Sequence, residues 1–208
     1  MTIAPAVEAV YVVDDDPLIR EALGSLFRSA GMSAFSYPTG SDFLGAFNAE
    51  MKGCLVLDVR LPGMNGLELQ SILSERGIDL PVIFMTGHGD IPMSVRGMKA
   101  GAVDFLPKPF RDQDMLDAVT LAFSVDRKKR LIHTKASHVR RLFASLSLRQ
   151  RQVMELVTDG KMNKEVAYSL GLSEVTVKTY RAGAMRKMQV VSLADLVRSM
   201  EVIHSDEE

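Results

Sequence analysis

The chain has 208 residues, of which 47% are hydrophobic and 25% are charged, and its formal net charge is −1. No apolar run approaches the roughly 20 residues that a membrane-spanning helix needs, and the N-terminus lacks the basic segment and apolar core of a secretory signal. The single cysteine, Cys54, excludes an internal disulfide. We therefore expect a cytoplasmic protein with no membrane partner.

The charge is divided between two parts of the chain. Residues 1–125 carry 9 basic and 16 acidic side chains, a balance of −7, whereas residues 126–208 carry 16 basic and 10 acidic ones, a balance of +6. Such a division is typical of two domains with different partners. The acidic part is a candidate for binding a cation, and the basic part for binding a polyanion.

The first 125 residues alternate between short apolar runs and helical patterns. The apolar runs predict strands at Ala9–Val13, Cys54–Leu57, Pro81–Met85 and Ala102–Leu106, with a weaker one at Met32–Phe35. The stretches between them predict helices at Pro17–Ala30, Ser41–Phe47, Gly66–Arg76, Pro92–Ala100 and Asp112–Phe123. Nearly continuous apolar strands that alternate with helices indicate a parallel sheet covered on both faces. The prediction is an α/β domain of the (βα)5 type.

The start of the first helix is well marked. Asp16 is suited to cap the helix, and Pro17 is suited to its first position. Leu18, Ala22 and Leu26 follow helical spacing on one face. These residues predict a helix that begins directly after the first strand and its acidic loop.

The pattern changes after the α/β part. From Asp126 to Arg141 the chain is rich in Lys and Arg, and we predict a partly helical linker whose basic run is a solvated surface. Beyond it no strand pattern occurs, and helices are predicted at Leu148–Thr158, Asn163–Leu170, Glu174–Met188 and Leu193–Ile203. The predicted division is a domain at 1–125, a linker at 126–143 and an all-α four-helix domain at 144–208.

Polar side chains fall at the ends of the predicted strands. Asp14 and Asp15 follow the first strand, Asp58 follows the third, Thr86 ends the fourth and Lys108 closely follows the fifth. Because the carboxyl ends of parallel strands meet at one edge of a sheet, we expect these side chains to lie together, where open α/β sheets bind their ligands.

This set of side chains suits phosphoryl transfer. Neighbouring carboxylates repel unless a cation joins them, and an all-oxygen site with few protein ligands suits Mg²⁺. A carboxylate can attack phosphorus and form an aspartyl phosphate, while a lysine and a hydroxyl help to neutralise the charge of the transferred group. Each feature alone is unspecific, since acidic loops and strand-terminal caps are common; the combination predicts the site.

The same residues carry a resemblance to the receiver domain of bacterial two-component response regulators. The matching stretches are 12–16 (VVDDD), 57–63 (LDVRLPG), 84–86 (FMT) and 105–109 (FLPKP), and 86–90 (TGHGD) with 98–105 (MKAGAVDF) resemble the FixJ-like branch. The resemblance implies a flavodoxin-like fold with strand order 2-1-3-4-5.

The resemblance also implies a role for each site residue. Asp58 is the expected phosphoacceptor. Asp15 is the expected direct Mg²⁺ ligand, Asp14 acts through water, and the backbone carbonyl of Arg60 is a further ligand. Lys108 pairs with the phosphoryl group, and Thr86 and Phe105 form a switch pair. A cis bond is expected before Pro109.

The C-terminal half contains a helix, a short Gly-containing turn and a second helix, at Asn163–Leu170, Gly171–Ser173 and Glu174–Met188. This is the helix-turn-helix pattern, with Ser173 suited to cap the second helix. Val175, Val177, Ala184 and Met188 are candidates for the buried side of that helix. A helical hairpin with a basic face fits DNA binding and a helical dimerisation domain equally well.

A second resemblance favours DNA. Stretches 146–157 (LSLRQRQVMELV), 163–167 (NKEVA), 171–178 (GLSEVTVK), 185–188 (MRKM) and 192–196 (SLADL) resemble a LuxR/FixJ-type DNA-binding domain. It implies base contacts from Lys178, Thr179 and Ala182, and backbone contacts from Thr176, Arg181 and Lys164. Tyr180 and Gly183 depart from the family pattern. Two explanations fit the apolar residues of the last helix, which are a contact in a DNA-bound dimer and packing in the core of the domain. The residues concerned are Leu193, Leu196, Val197 and Met200.

Together the two resemblances imply a regulator that catalyses only its own phosphorylation and dephosphorylation. A sensor histidine kinase is expected to phosphorylate Asp58 with Mg²⁺, which promotes homodimerisation and binding to double-stranded promoter or operator DNA; RNA polymerase is a candidate partner. The receiver face around Pro92–Lys99 and Val103–Phe105 is expected to support the dimer. The alternative is an Mg²⁺-dependent phosphatase or phosphotransferase, but such enzymes usually carry a second Asp two residues after the nucleophile, where this chain has Arg60.

Overall fold

The computed structural model describes residues 7–87, 97 and 101–204. The chain divides between Lys129 and Arg130 into two units. In order, the first contains β1 (Ala9–Val13), α1 (Pro17–Ser29), β2 (Ser33–Tyr37), α2 (Gly40–Ala46), β3 (Gly53–Asp58), α3 (Gly66–Glu75), β4 (Val82–Thr86) and β5 (Asp104–Pro107), and α4 (Asp112–Ala144) begins in it. The helix predicted at Pro92–Ala100 lies outside the described residues except for Gly97.

The five strands form one parallel sheet in the order β2-β1-β3-β4-β5. The predicted (βα)5 class and its strand order are therefore confirmed. β1, β3 and β4 lie in the interior of the sheet, and every residue of these three strands is buried. Their carboxyl ends lie at one edge, which is the edge that carries the polar residues predicted from the sequence.

Alternate residues of the central strands enter two separate cores. Val13, Leu57 and Phe84 pack on one face of the sheet, and Val12, Val56 and Met85 pack on the other. The first core also contains Phe43 from α2 and Leu69 from α3, whereas the second contains Phe27 from α1 and Met115 from α4. The period of two along each strand thus produces the three-layer α/β/α unit.

Helix α1 begins as predicted, and its most buried face is not the one that carries Leu18, Ala22 and Leu26. The Asp16 side chain accepts a hydrogen bond from the N–H of Leu18 at 2.8 Å, which confirms the cap. The buried residues are Leu23, Gly24 and Phe27, whereas Leu18 is 72% exposed. Packing against the sheet selects the stripe that contains the large Phe27 ring.

Helix α4 is longer than predicted. It runs without interruption for 33 residues, from Asp112 to Ala144, through the segment predicted as a partly helical linker. Asp126 is only 2% exposed, and its carboxylate accepts a hydrogen bond from the N–H of Gly53 at 3.0 Å. This bond joins the helix to the start of β3, 73 residues away in sequence.

The second unit contains the end of α4 followed by α5 (Leu148–Thr158), α6 (Asn163–Leu170), α7 (Glu174–Lys187) and α8 (Leu193–His204). A third core contains residues from α5, α6, α7 and α8, and Val139, Leu142 and Phe143 of α4 pack against it. The last turns of α4 therefore contribute to this unit. None of the helices in the described ranges is both long and apolar enough to cross a membrane.

Candidate functional site

Three carboxylates converge at the carboxyl edge of the sheet. Asp14 and Asp15 follow β1 and Asp58 ends β3, and each offers an oxygen that lies within 4.8 Å of the other two. Asp14 and Asp58 are buried, at 0% and 8% exposure, and Asp15 is exposed. An all-oxygen donor set with an open side fits a hard divalent cation that keeps several waters, such as Mg²⁺.

Lys108 joins two of these carboxylates. Its Nζ atom donates to Asp14 Oδ2 at 2.7 Å and to Asp58 Oδ2 at 2.8 Å. Burial raises the pKa of Asp14 despite the opposing hydrogen bond from Lys108. Burial also acts to lower the pKa of Lys108, but its hydrogen bonds to Asp14 and Asp58 outweigh that effect and raise it. The ammonium group is therefore firmly charged and compensates two buried anions. The peptide bond between Lys108 and Pro109 is cis, as expected.

The acidic loop between β1 and α1 is held by main-chain hydrogen bonds. The N–H of Asp16 donates to Asp14 Oδ1 at 2.9 Å. The Arg20 guanidinium donates through Nη1 to the carbonyl of Asp14 at 2.6 Å and to that of Asp15 at 2.8 Å. Sequence reasoning missed Arg20, although a cationic side chain about one turn into a helix that follows an acidic loop is a usable signal.

The loop after β3 fixes the position of Asp58. The N–H of Arg60 donates to Asp58 Oδ1 at 3.1 Å, and the N–H of Val59 donates to the carbonyl of Met85 at 3.0 Å. The N–H of Gly66, the first residue of α3, donates to the carbonyl of Val59 at 3.0 Å. The start of α3 therefore lies against the backbone of the predicted phosphoacceptor.

The predicted switch residues lie on the neighbouring strands. Thr86 ends β4, is 5% exposed, and donates its hydroxyl to the carbonyl of Gly87 at 3.3 Å. The Phe105 ring is half-buried and stacks on Phe84, with ring centroids 4.7 Å apart. A Cβ atom on Gly97 would lie 2.2 Å from Phe105 Cζ, so the ring is seated closely against that glycine. The part of the predicted dimerisation face at Pro92–Lys99 lies outside the described residues except for Gly97.

The second candidate site is the helix pair α6 and α7. Gly171 ends α6 with φ 64°, a left-handed conformation that favours glycine. The Ser173 hydroxyl accepts a hydrogen bond from the N–H of Thr176 at 3.1 Å, which confirms the predicted cap of α7. Sharp termination and immediate capping give the short turn of a helix-turn-helix.

The predicted DNA-contact residues divide by exposure. Lys164, Lys178, Thr179 and Ala182 are exposed, while Thr176 and Arg181 are half-buried. Arg181 Nη1 donates to Asn163 Oδ1 at 3.4 Å, a weak bond that holds the guanidinium near the start of α6. The outward side of α7 is therefore polar and basic, as an element that enters the major groove requires.

One packing prediction in this unit is wrong, and another left two explanations open between which burial now decides. Val175, a candidate for the buried side of α7, is 73% exposed, whereas Val177, Ala184 and Met188 are buried. Leu196 and Met200 are 0% and 2% exposed in the third core, so core packing accounts for them. Leu193 is 42% exposed and stays a candidate for a dimer contact.

The chain matches two family models: residues 10–120 match the response regulator receiver domain, and residues 144–200 match the bacterial regulatory proteins of the luxR family. It is 50% identical over 194 residues to nodulation protein W of Bradyrhizobium diazoefficiens, covering 93% of this chain and 86% of that protein. It is 44% identical to the transcriptional regulatory protein FixJ of Azorhizobium caulinodans, covering 91% and 90% of the two chains. The solved structure of response regulator StyR is similar with a TM-score of 0.83 and 46% identity, covering 94% of this chain and 99% of that one.

Proposed function

Because this chain belongs to the DNA-binding response regulators of two-component systems, with a receiver domain and a LuxR-type helix-turn-helix domain, we propose that phosphoryl transfer to Asp58 controls its binding to DNA. The observation that carries the proposal is the bridge from Lys108 to both Asp14 and Asp58. It holds the acceptor carboxylate beside a cation and a second carboxylate at the sheet edge.

The proposed transfer is a displacement at phosphorus. An Asp58 carboxylate oxygen forms the new bond to phosphorus while the phosphorus–nitrogen bond of a kinase phosphohistidine breaks, and the imidazole leaves with the electron pair and takes up a proton. Before transfer Lys108 compensates the Asp58 anion; afterwards its Nζ atom can donate to the phosphoryl oxygens instead. The chain promotes only its own phosphorylation and dephosphorylation; in the latter, water attacks phosphorus, the bond to Asp58 breaks, and the carboxylate and inorganic phosphate are released.

Asp15 is the proposed direct Mg²⁺ ligand, with the Asp58 carboxylate and the backbone carbonyl of Arg60, while Asp14 acts through water. When bound, the ion supplies charge neutralisation for the transferred group. The exposure of Asp15 and the burial of Asp14 beneath Lys108 are consistent with this division. In the proposal, the Thr86 hydroxyl moves from Gly87 to the phosphoryl group and Phe105 follows.

An apolar groove beside the site supports a protein as phosphoryl donor. The groove has a volume of about 860 Å³ and lies between α1 and the segment after β5; its lining includes Ile19, Ala22, Leu26, Lys108 and Phe110. We assign this groove to a helix of the kinase, because Lys108 at its wall also bonds the predicted phosphoacceptor, Asp58.

Ala22 is exposed, so Ala22→Glu tests the groove with little effect on the fold. In this variant the rate of phosphorylation by the kinase should fall, while the rate with acetyl phosphate stays at the wild-type value. A wild-type rate with the kinase, or an equal fall with both donors, would contradict the assignment.

Phosphorylation is proposed to favour a homodimer that presents two copies of α7 to two half-sites of an operator. Lys178, Thr179 and Ala182 would face base edges, and Thr176, Arg181 and Lys164 would face the sugar-phosphate backbone. Contact with RNA polymerase is part of the same proposal, as is a cytoplasmic location, since the target is the chromosome.

The proposed domain limits stay 1–125, 126–143 and 144–208, with one consequence of the packing. Val139, Leu142 and Phe143 pack against the core of the DNA-binding unit. A fragment that starts at 144 lacks these side chains and is expected to be less stable than one that starts at 130.

The first test is intact mass after incubation with acetyl phosphate, with and without Mg²⁺, for the wild type and Asp58→Asn. We expect one Mg²⁺-dependent phosphoryl adduct on the wild type only. An adduct on both proteins would mean that another residue is the acceptor. Absence of an adduct on the wild type with both acetyl phosphate and a phosphorylated kinase would overturn the proposal.

The second test concerns coupling between the two units. Sedimentation and operator titration are compared for phosphorylated and unphosphorylated wild type and for Asp58→Ala. We expect phosphorylation to increase both dimerisation and operator affinity in the wild type. Unchanged values for both would contradict the control mechanism and leave a constitutive DNA-binding protein.

A further inference from the structure

Arg20 holds the main chain of the acidic loop. Its Nη1 atom lies 2.6 Å from the carbonyl oxygen of Asp14 and 2.8 Å from that of Asp15. A guanidinium nitrogen of this kind carries two hydrogens, so one nitrogen can donate to both oxygens. The carbonyls of two successive residues therefore converge on a single atom.

These two carbonyls lie where neither strand nor helix can satisfy them. β1 ends at Val13 and α1 begins at Pro17, so the loop between them leaves the sheet ladder before the helical bonds start. The bond to the Asp14 carbonyl is partly buried, where a carbonyl needs a donor, and the bond to the Asp15 carbonyl is exposed. A bond from a charged donor is stronger than one from a neutral group. Arg20 also closes the first turn of α1, since its own N–H donates to the carbonyl of Asp16 at 3.1 Å.

Arg20 and Lys108 act on different parts of the same loop. Lys108 donates to carboxylates and thereby compensates side-chain charge. Arg20 donates to backbone oxygens and thereby fixes the peptide planes from which the Asp14 and Asp15 side chains project. The contacts of Arg20 are those of a residue that sets loop geometry.

We propose that Arg20 is a positioning residue for the divalent cation: it fixes the backbone of Asp14 and Asp15 so that their carboxylates converge with Asp58. This inference rests on the proposed function of the carboxylate cluster. It adds a residue that touches neither the cation nor the phosphoryl group.

The proposal predicts that removal of Arg20 weakens Mg²⁺ binding, whereas the loss of its charge alone would strengthen it. Arg20 brings a positive charge to the acidic loop, so its removal would strengthen Mg²⁺ binding if Coulomb repulsion were its main effect. If positioning dominates, its removal weakens binding, because loss of an outer-shell partner typically lowers metal affinity by about 10–100-fold. Arg20→Ala is therefore expected to bind Mg²⁺ about tenfold more weakly than the wild type. Arg20→Lys, which keeps the charge but loses the planar pair of donors, should fall between the two.

The test is calorimetric titration of full-length, unphosphorylated protein with MgCl₂. The matched control is Arg28→Ala, which removes the same charge from the same helix at an exposed residue whose guanidinium donates to the Ser25 hydroxyl. Wild-type affinity is expected for Arg28→Ala, with thermal unfolding showing that all variants are folded. An Arg20→Ala dissociation constant equal to or lower than that of the wild type would overturn the proposal.

A second measurement needs no metal. Amide hydrogen exchange of residues 14–16 in metal-free protein should be faster in Arg20→Ala and unchanged in Arg28→Ala; unchanged exchange in Arg20→Ala would also overturn the proposal. The two hypotheses fail in different ways. If Arg20→Ala binds Mg²⁺ more weakly and the wild type forms no phosphoryl adduct, the phosphoacceptor function is wrong and the positioning role stands. If the wild type forms the phosphoryl adduct and Arg20→Ala binds Mg²⁺ normally, only the positioning role is wrong. Absence of Mg²⁺ binding by the wild type would overturn both.

Discussion

Replacing Gly66 with alanine tests the space beside the phosphoacceptor. A Cβ atom at Gly66 would lie 2.4 Å from the carbonyl oxygen of Asp58 and 3.1 Å from Cα of Val59. Both neighbours are backbone atoms, so no side-chain rotation can relieve the contact. Because non-bonded carbon contacts are optimal near 3.5–4.0 Å, the start of α3 and the end of β3 must separate by on the order of 1 Å.

Two consequences can be given a size. Overpacking of this kind costs roughly 1–3 kcal/mol, so we expect the free energy of unfolding of Gly66→Ala to fall by about 2 kcal/mol. The displaced carbonyl belongs to Asp58 itself, and a misplacement of about 1 Å at a reacting group can lower a rate by about 100-fold. The phosphorylation rate should therefore fall by about 10- to 100-fold.

Urea unfolding measures the stability, and the time course of the phosphoryl adduct with acetyl phosphate measures the rate. Gly45→Ala is the matched control, because Gly45 lies in α2 with open space around its Cβ position. That variant should gain up to about 1 kcal/mol of helix stability and keep the wild-type rate. Wild-type stability and rate in Gly66→Ala would refute the steric argument.

Three further outcomes follow from single contacts. In metal-free protein, Asp14→Asn should be more stable than the wild type at pH 7 by about 0.5–2 kcal/mol, because burial raises the pKa of Asp14 and so makes its ionised form less favourable in the folded state than in the unfolded state. The difference should be smallest below the ordinary pKa of 3.8, grow as pH rises from 3.8 to the raised value, and level off above it, in urea titrations across that range. Asp126→Ala leaves the buried N–H of Gly53 without this acceptor and should cost about 1–3 kcal/mol in the same assay. Lys178→Ala should relax base preference by about 1–3 kcal/mol, whereas Lys164→Ala should weaken all sequences alike and lower the salt slope by about 1, in DNA titrations at several salt concentrations; identical effects would contradict the assignment.

The sheet was predictable because its strands carry their own signal. The buried runs at β1, β3 and β4 are apolar at nearly every residue, which only a sheet covered on both faces requires. The length of α4 was predicted less well, since the basic composition after Asp126 suggested a linker. The absence of Gly and Pro from Asp112 to Ala144 was the better guide, because these are the residues that interrupt helices.

The sequence predicted which side chains form the candidate site but not the contacts that hold them in position. Strand ends of a parallel sheet necessarily share an edge, so Asp14, Asp58 and Lys108 could be grouped from strand positions alone. The bonds from Arg20 to two loop carbonyls and the approach of Gly66 to Asp58 depend on how the helices lie over the sheet. Distances of that kind are set by the assembled packing, which periodicity along the chain does not encode.

Gly183 shows the same dependence within the DNA-binding unit. Glycine inside α7 costs up to about 1 kcal/mol of helix stability relative to alanine, and from the sequence it is a departure from the family pattern. A Cβ atom at Gly183 would lie 3.0 Å from Gln150 Nε2 of α5. Gln150 cannot easily move away, because its Oε1 atom accepts a hydrogen bond from the N–H of Ser147 at 3.0 Å in the capping box of α5. The glycine therefore lets α7 approach α5 closely, and its local cost is offset by packing that holds the recognition helix against its own domain.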